Sequence, residues 1–279
     1  MSPAEKRQAF RRLHESGCFV IPNPWNVGTA RYLQGLGFKA LATTSSGFAH
    51  SIGYADGDAS RDMVLAHFRE IAQAADVPVN ADFENGYAED IGAMAENYLL
   101  CVETGVAGVS IEDFTGDDAD PLYDFATSVK RMRAAREAID KAGGGVLLTA
   151  RSEGFIKNRP DMAETVRRVK AFVDAGADCI YTPGIKTREQ IETVVKAAAP
   201  KPVNLLMAWP LGFTVKDVAD MGVRRISVGG TLARVAMDAF IKSAREIAEH
   251  GTFDSFGGVI TNPELNKFFR DDRVRQQKP

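Results

Sequence analysis

The chain has 279 residues, of which 45% are hydrophobic and 25% are charged, a composition typical of a globular protein with a large apolar core. A formal net charge of −3, without a basic stripe, argues against nucleic-acid binding. No apolar run is long enough to span a membrane, and the polar N-terminal residues do not form the apolar core of a signal peptide.

Short apolar segments alternate with amphipathic segments along the chain. The apolar, often β-branched segments predict eight buried strands, at Cys18–Ile21, Ala40–Thr44, Pro78–Ala81, Gly108–Ile111, Val146–Ala150, Cys179–Thr182, Val203–Met207 and Arg225–Val228. Apolar spacings of three to four residues predict helices between them, at Arg61–Ala75, Glu89–Thr104, Phe125–Ala142, Asp161–Ala175, Arg188–Ala199 and Val215–Met221. Eight strands with helical crossovers predict an α/β fold, a closed (β/α)8 TIM barrel.

The C-terminal part departs from this alternation. Thr231–His250 predicts a long amphipathic helix, Asn262–Phe269 predicts a short one, and the charged segment Arg270–Pro279 predicts a frayed tail. No change in composition marks a linker. We therefore predict one domain over 1–279, with the barrel at about 17–245 and a helical extension over 246–279 that packs on another subunit.

The three cysteines, Cys18, Cys101 and Cys179, are far apart in the sequence and form no CxxC pair. This spacing argues against a zinc or disulfide framework and favours a reducing compartment, the cytoplasm.

Acidic residues follow two of the predicted strands. Asp82 and Glu84 come after one apolar run, and Glu112 ends the next. An acid at the end of a buried strand is costly unless its desolvation is offset, and a divalent cation satisfies several acids at once. For any single acid, helix capping or pairing with an arginine is about as favoured. Two strands that end in the same way favour the cation site.

The carboxyl ends of barrel strands form the active-site face. The polar residues predicted there are Thr44, Ser45, Ser46, Gly47, Asp82, Glu84, Glu112, Asp113, Arg151, Glu153, Asn204, Gly229 and Gly230. Such a ring suits a divalent metal and a small anionic substrate, with Arg151 as a bidentate carboxylate clamp. Backbone N–H groups of the Thr44–Gly47 turn could bind an oxyanion.

Two other enzyme classes fit less well. A Schiff-base aldolase needs a lysine on a barrel strand, and no predicted strand contains one. A Ser-His-Asp hydrolase is disfavoured because His14, His67 and His250 fall on helix-like stretches and His50 falls in a loop.

Six motifs in order resemble the isocitrate lyase/phosphoenolpyruvate mutase superfamily over about the first 245 residues. They are Thr44-Ser-Ser-Gly, Ile52-Gly-Tyr-Ala-Asp-Gly, Ala81-Asp-Phe-Glu-Asn-Gly-Tyr, Gly108-Val-Ser-Ile-Glu-Asp, Thr149-Ala-Arg-Ser-Glu and Ala175-Gly-Ala-Asp. Each motif is weak alone, but six in order at strand ends are specific. The resemblance implies a modified (β/α)8 barrel, Mg²⁺ or Mn²⁺, and a 2-oxo acid or related carboxylate substrate.

The resemblance also implies roles for individual residues. Asp82 would bind the metal directly, and Glu84 and Glu112 would hold it largely through waters. Asp56 would lie near substrate and metal waters, and Arg151 would hold the substrate carboxylate, so that Asp56, Arg151 and Glu112 are the predicted catalytic residues. The predicted substrate-binding residues are Thr44, Ser45, Ser46, Gly47, Arg151, Asn204 and Arg234. A homotetramer built from helix-swapped dimers is implied as well.

The sequence departs from the best-known members in the loop after Asp113. Isocitrate and methylisocitrate lyases carry Lys-Lys-Cys-Gly-His there, whereas this chain has no cysteine, lysine or histidine between Phe114 and Asp124. The asparagine and lysine of the mutase gating loop are also missing, and Pro183 replaces the mutase histidine. These differences argue against standard isocitrate lyase and phosphoryl-migration activities.

Our leading hypothesis is a Mg²⁺-dependent lyase or decarboxylase that cleaves a small 2-oxo or 2-hydroxy dicarboxylate through a metal-stabilised enolate. Loop 113–124 would be its lid, with Tyr123, Asp117 or a metal-bound water as the proton donor. The alternatives are a P–C bond enzyme of the phosphonopyruvate hydrolase or carboxyphosphonoenolpyruvate phosphonomutase type, and a binding protein for 2-oxo acids without turnover.

Overall fold

A computed structural model describes residues 1–277 of the chain. Its centre is a sheet of eight parallel strands in the order β1-β8-β7-β6-β5-β4-β3-β2. The strands are β1 (Phe19–Ile21), β2 (Leu41–Ala42), β3 (Val79–Ala81), β4 (Gly108–Glu112), β5 (Leu147–Arg151), β6 (Cys179–Tyr181), β7 (Val203–Leu206) and β8 (Arg225–Ser227). The Ala42 N–H donates to the Pro22 carbonyl at 3.1 Å, and this hydrogen bond links β2 to the residue that follows β1. The eight strands therefore form the nearly closed barrel that the sequence predicts.

Eleven α-helices surround or extend this barrel in the described part of the chain. They are α1 (Pro3–Leu13), α2 (Val27–Gly35), α3 (Ser45–Ser51), α4 (Arg61–Ala74), α5 (Ile91–Glu103), α6 (Phe125–Lys141), α7 (Met162–Asp174), α8 (Arg188–Ala198), α9 (Val215–Asp220), α10 (Thr231–His250) and α11 (Asn262–Gln276). Asp90, Asp124 and Asp161 accept hydrogen bonds from backbone N–H groups in the first turns of α5, α6 and α7, which explains where these helices begin.

The two ends of the barrel differ in chemistry. At the end where the strands begin, α1 places Phe10 in an apolar cluster with Ala40, Ala107 and Leu147. Glu112 and Arg151 end β4 and β5 at the opposite mouth. The apolar end therefore closes the barrel, and the polar end is free to bind ligands.

The predicted strands and six barrel helices are confirmed, whereas α2 and α3 were not predicted. Both are short, with nine and seven residues, although α9, with six residues, was predicted. The segment Thr44–Gly47, predicted as a turn, forms the first turn of α3 with Thr44 as its N-cap.

The prediction of a frayed tail is wrong for Arg270–Gln276, which continue α11. Asp272 is buried and accepts bidentate hydrogen bonds from Arg31 at 2.7 and 2.9 Å, while Phe268 packs on Tyr32. The charges that suggested a solvated tail include a buried ion pair with α2, a contact between residues 241 positions apart. Lys278 and Pro279 lie outside the described residues.

Helix α10 extends away from the barrel. Within the described residues none of its side chains is buried, and it leaves six large apolar side chains exposed, namely Leu232, Val235, Met237, Phe240, Ile241 and Ile247. The helix continues through the predicted boundary at residue 245, and that boundary stays a prediction. Among residues 1–277, no helix is both long and apolar enough to cross a membrane.

Candidate active site

A cavity of about 500 Å³ opens at the carboxyl ends of the strands. Nine of the predicted site residues line it, namely Thr44, Ser45, Ser46, Asp56, Asp82, Glu84, Glu112, Arg151 and the more deeply buried Asn204. The cavity thus joins residues that are spread over 160 positions of the sequence. Asp56 and Glu84 reach it from loops, and most of the others come from strand ends.

Arg151, at the end of β5, lies among three carboxylates. Its Nη1 is 2.7 Å from Asp82 Oδ1 and 2.6 Å from Glu112 Oε1, and its Nε is 2.8 Å from Glu153 Oε1. The guanidinium also lies over the Tyr181 ring, 4.9 Å from its centroid. Most of its N–H groups therefore hold the acids in place.

Asp82 is fixed from several sides. The Ser45 N–H donates to Asp82 Oδ2 at 3.0 Å, and the Ser110 hydroxyl donates to Oδ1 at 3.4 Å. The Thr43 hydroxyl accepts from the Asp82 N–H at 2.9 Å. The first N–H of α3, predicted to bind a substrate oxyanion, thus binds this carboxylate in the structure.

Glu84 lies on a loop in an uncommon backbone conformation. Its φ of 47° falls in the left-handed region, and the Glu112 N–H donates to its carbonyl at 2.9 Å. The Tyr87 hydroxyl donates to Glu84 Oε1 at 2.5 Å. A strained, non-glycine position held by strand β4 is typical of a functional site.

Burial among like charges changes the acidity of this cluster. Desolvation, followed by the charges of Asp82 and Asp56, raises the pKa of Glu84 to about 7 despite the hydrogen bond from Tyr87. Desolvation also raises the pKa of Glu112 well above its usual value, although Arg151 opposes this. The pKa of Asp56 is raised by desolvation and by Asp82, against a hydrogen bond from Ser45.

The donor set fits a divalent cation. Five of the carboxylates that line the cavity belong to Asp56, Asp82, Glu84, Glu112 and Glu153, and Arg151 pairs with three of these five. The pKa values of Asp56, Glu84 and Glu112 are raised first by desolvation and further by neighbouring carboxylates, and carboxylate oxygens are the ligands that Mg²⁺ and Mn²⁺ prefer. Among residues 1–277, no three His, Cys, Asp or Glu side chains are grouped closely enough to hold a metal alone, so waters or substrate would complete its coordination.

The deep wall of the cavity is a polar network inside the barrel. Arg225 donates from Nε to Asn204 Oδ1 at 2.8 Å and from Nη2 to Thr149 Oγ1 at 3.0 Å. Asn204 Nδ2 donates to the Ser227 hydroxyl at 2.9 Å. Barrel interiors are usually filled by branched apolar side chains, so this polar wall indicates a hydrated or ligand-binding space.

Two predicted residues lie outside the cavity wall in the described structure. Arg234 is exposed on α10, and its Nη2 donates to Thr231 Oγ1 at 3.0 Å. Gly47 is buried behind the wall, where a side chain would meet Thr44 and Ala233. Their roles as substrate-binding residues stay predictions, with Gly47 placed to support Thr44 rather than to touch a ligand.

Loop 113–124 forms one rim of the cavity. A β-bridge joins Phe114 to Leu122, and Asp113 anchors the base of the loop through a 3.0 Å ion pair with Arg168. Phe114, Gly116 and Asp118 line the cavity. The loop therefore has the position expected of a lid, although Asp113 itself binds α7 and not the cavity.

Both side chains named as proton donors are hydrogen-bonded to other residues of the protein. The Tyr123 hydroxyl donates to Glu89 Oε1 at 3.2 Å, and Asp117 Oδ1 accepts from the Ala119 N–H at 2.8 Å. Neither is among the described residues that line the cavity.

The cavity residues that sequence reasoning missed include Tyr87, Lys157, Tyr181 and Arg225. Tyr181 and Arg225 lie on predicted strands, and their alternation with outward residues could have identified them as inward-facing. Tyr87 and Lys157 lie on loops, whose path into the cavity no periodicity reveals.

Comparisons with known proteins identify the family of the chain. The family model described as phosphoenolpyruvate phosphomutase matches residues 10–248. An oxaloacetate decarboxylase of Paraburkholderia xenovorans LB400 is 27% identical over 269 residues, covering 90% of this chain and 85% of the relative.

Solved structures superpose over nearly the whole chain. A candidate lyase/mutase from Burkholderia cenocepacia J2315 has a TM-score of 0.91 and 42% identity, covering 96% of both chains. Phosphonopyruvate hydrolase in complex with oxalate and Mg²⁺ has a TM-score of 0.84 and 25% identity, covering 99% of this chain and 98% of its own.

Proposed function

The chain belongs to the phosphoenolpyruvate phosphomutase family, within the isocitrate lyase/phosphoenolpyruvate mutase superfamily of lyases and mutases, and on that premise we propose that it cleaves a C–C bond in a small 2-oxo or 2-hydroxy dicarboxylate with Mg²⁺ or Mn²⁺. Compounds resembling oxaloacetate are the first candidates. The observation that carries the proposal is the excess of carboxylates around Arg151 in the cavity.

Asp82, Glu84 and Glu112 would hold the cation, with Asp82 as the direct ligand and the two glutamates acting largely through waters. When bound, such a cation polarises the 2-oxo group as a Lewis acid. Arg151 orients Asp82 and Glu112 and keeps one Nη2 N–H for a substrate carboxylate. Asp56, whose pKa is raised, is suited to exchange a proton with substrate or solvent.

The first turn of α3 would bind the oxygen on which negative charge develops during cleavage. Ser46 is placed for this, since its Oγ lies 3.3 Å from Thr44 Oγ1 and both line the cavity. In an oxaloacetate-like substrate the bond between C3 and C4 would break, carbon dioxide would leave, and C3 would take a proton from solvent or Asp56.

A second candidate is P–C bond cleavage. The similarity to phosphonopyruvate hydrolase favours it, because a phosphonate and a carboxylate would occupy the same part of the cavity. Loop 113–124, which lacks the lysine and asparagine of the mutase gating loop, favours hydrolysis over phosphoryl migration in that case.

A substrate panel separates the two candidates. Purified protein would be incubated with Mg²⁺ and oxaloacetate, 2-methylisocitrate or phosphonopyruvate, while pyruvate, carbon dioxide and inorganic phosphate are measured. We expect carbon dioxide and pyruvate from oxaloacetate, above the rate of Mg²⁺ alone. Phosphate release alone would favour the second candidate, and turnover of none would overturn both.

Asp82→Asn tests the site itself. It should lower kcat/KM by at least about 100-fold, because an amide binds Mg²⁺ more weakly than a carboxylate does. Glu189→Gln, on α8 away from the cavity, is the control and should leave kcat/KM unchanged. Equal activity of Asp82→Asn and the wild type would contradict the proposed site.

We also propose that the protein forms a homotetramer of helix-swapped dimers. The support is the apolar side of α10, which has six large exposed side chains. A monomer that left this surface in water would be prone to association.

A further inference from the structure

Three cations line the cavity in the described structure, namely Arg151, Lys157 and Arg225. A dicarboxylate or phosphonate substrate carries a second anionic group beyond the 2-oxo carboxylate. The three cations differ in how firmly their hydrogen-bonding groups are held, and this decides which of them is free to bind that second group.

Two of the three are committed to the protein. Arg151 contacts Asp82, Glu112 and Glu153 at 2.6 to 2.8 Å. Arg225 is buried and directs its three nitrogens to Asn204, Thr149 and His14. Moving either would leave buried polar groups without partners, which is costly.

Lys157 is held much more weakly. Its Nζ is 3.0 Å from Asp118 Oδ1, and the Asp118 side chain is 87% exposed. Ion pairs with such an exposed partner contribute little, about 0–1 kcal/mol. The same Nζ lies 3.4 Å from the centroid of the Phe114 ring, a contact that an anion bound beside the ammonium would leave in place.

The backbone that carries Lys157 is fixed. The Lys157 N–H donates at 2.9 Å to the backbone carbonyl of Glu153, the residue whose carboxylate binds Arg151. Gly184, with a φ of 96°, lies so close that a Cβ atom would be 2.7 Å from the Ile156 nitrogen. The Lys157 side chain therefore extends from a rigid turn to Asp118 on loop 113–124, and both residues line the cavity.

We propose that Lys157 is a specificity-determining residue that binds the distal carboxylate or phosphonate of the substrate, exchanging it for Asp118. The inference rests on the proposed function, because it assumes a ligand whose 2-oxo carboxylate lies at the acid cluster. With this role of Lys157, the protein prefers substrates that carry two separate anionic groups. The second group then binds beside the rim formed by loop 113–124.

Calorimetric titration in the presence of Mg²⁺ tests this without turnover. The probes are 3,3-difluorooxaloacetate, which has a distal carboxylate, and oxalate, whose two carboxylates leave no distal group. Lys157→Gln should weaken binding of the difluoro compound by at least about tenfold, the loss of one charge-assisted hydrogen bond, and should change oxalate affinity by less than about twofold.

Three further variants sharpen the test. Lys157→Arg should restore most of the affinity, and Asp118→Asn should bind the difluoro compound at least as tightly as the wild type. Lys186→Gln is the matched control, since Lys186 lies near Trp209 and outside the described cavity wall, and it should bind both probes normally. Thermal melting establishes that each variant is folded.

The outcomes are distinguishable. An unchanged affinity of Lys157→Gln for the difluoro compound, or an equal loss for both probes, would overturn the role of Lys157 while leaving the proposed function standing. Weaker binding by Asp118→Asn would overturn the exchange. A wild-type protein that binds neither probe with Mg²⁺ would overturn the proposed function and this inference with it.

Discussion

At the scale of single residues, the acids around Arg151 bear on two interpretations that the sequence left open. Pairing with an arginine and forming a cation site were alternatives for Asp82 and Glu112; the structure shows the pairing, and the cation site stays a proposal. Arg151 pairs with them, yet the pKa of Glu112 stays raised and that of Glu84 is about 7. One guanidinium cannot balance this many buried carboxylates, so room for a divalent cation remains.

Removing that guanidinium gives a testable prediction. Arg151→Met should lower the free energy of unfolding by about 3–5 kcal/mol, because it leaves partly buried carboxylates without their partner. Added Mg²⁺ should raise the melting temperature of this variant more than that of the wild type, because it replaces the lost charge. Scanning fluorimetry with and without Mg²⁺ measures both effects.

Arg167→Met is the control for this substitution. Arg167 is 56% exposed on α7 and pairs with Glu164, so its loss should change stability by less than about 0.5 kcal/mol. Equal Mg²⁺ shifts for Arg151→Met and the wild type would show that the cation does not replace the charge of Arg151.

His67 makes stability depend on pH. It is buried on α4, and its ring is stacked on the Phe48 ring with 4.1 Å between the ring centroids. Its Nε2 has no hydrogen-bond partner among the described residues. Desolvation lowers its pKa from 6.5 to about 4. The unfolded chain therefore binds more protons than the folded one below pH 6.5, so the stability present above that pH is lost as the pH falls towards 4.

We expect His67→Phe to remove part of this dependence. We would measure urea unfolding at pH 7.5 and at pH 5. Between these two pH values the free energy of unfolding of the wild type should fall by ~2 kcal/mol more than that of the variant, at 1.36 kcal/mol per pKa unit. His250→Phe, at the exposed end of α10, should keep the wild-type dependence. Identical pH dependence for His67→Phe and the wild type would exclude His67 as the cause.

Several residues at strand ends were predictable from the strand pattern, whereas Tyr87 and Lys157, on loops, were not. Asp82, Glu112, Arg151 and Asn204 follow from the rule that strand ends face the active site. Lys157 depends on the path of a loop, and that path is set by long-range contacts such as the one with Gly184.

At the scale of elements, the same distinction separates the barrel from its loops. Each strand has a local apolar signature and each long helix a periodic one. The turn 152–160, by contrast, is shaped by the close approach of Gly184, which has a positive φ of 96° and lies against Phe155 and Ile156. No local pattern indicates such an approach, so this element could not be read from the sequence.

Gly184→Ala tests the importance of that approach. The new methyl group would meet backbone atoms at 2.7 and 2.8 Å, which only a shift of the turn could relieve. Gly37→Ala is a matched control, because Gly37 has a similar φ of 94° but nothing within 4 Å. In urea unfolding, we expect Gly184→Ala to lower the free energy of unfolding by at least about 1 kcal/mol more than Gly37→Ala does.

The comparison isolates the clash from the cost of a left-handed conformation, which both variants share. Gly184→Ala should also weaken binding of 3,3-difluorooxaloacetate, since it displaces the backbone that carries Lys157, whereas Gly37→Ala should not. Equal stabilities of the two variants would mean that the turn adjusts freely.

At the scale of the whole molecule, the fold and family followed from the sequence because they rest on many local signals in order. Eight strands, six helices and six motifs all predict one barrel, and the structure and the comparisons confirm that fold and family. The C-terminal arrangement depends instead on contacts between distant segments. Arg31 and Asp272 form a buried pair that no local charge pattern reveals, which is why the end of α11 was mistaken for a tail.

The apolar side of α10 is the other whole-molecule feature, and it gives the last prediction. Phe240, 67% exposed, is its most exposed large side chain. If a second copy covers α10, Phe240→Lys buries a charge in that interface, an unfavourable change of several kcal/mol. We therefore expect the variant to be smaller than the wild type in sedimentation velocity at the same concentration.

Lys242→Glu is the control on the polar side of α10, where Lys242 pairs with Asp238 and is 72% exposed. It should leave the assembly unchanged, because both charges face solvent in the proposed arrangement. Should the wild type sediment as a monomer, the helix-swapped tetramer would be wrong, while the cavity and its proposed chemistry, built within one barrel, would stand.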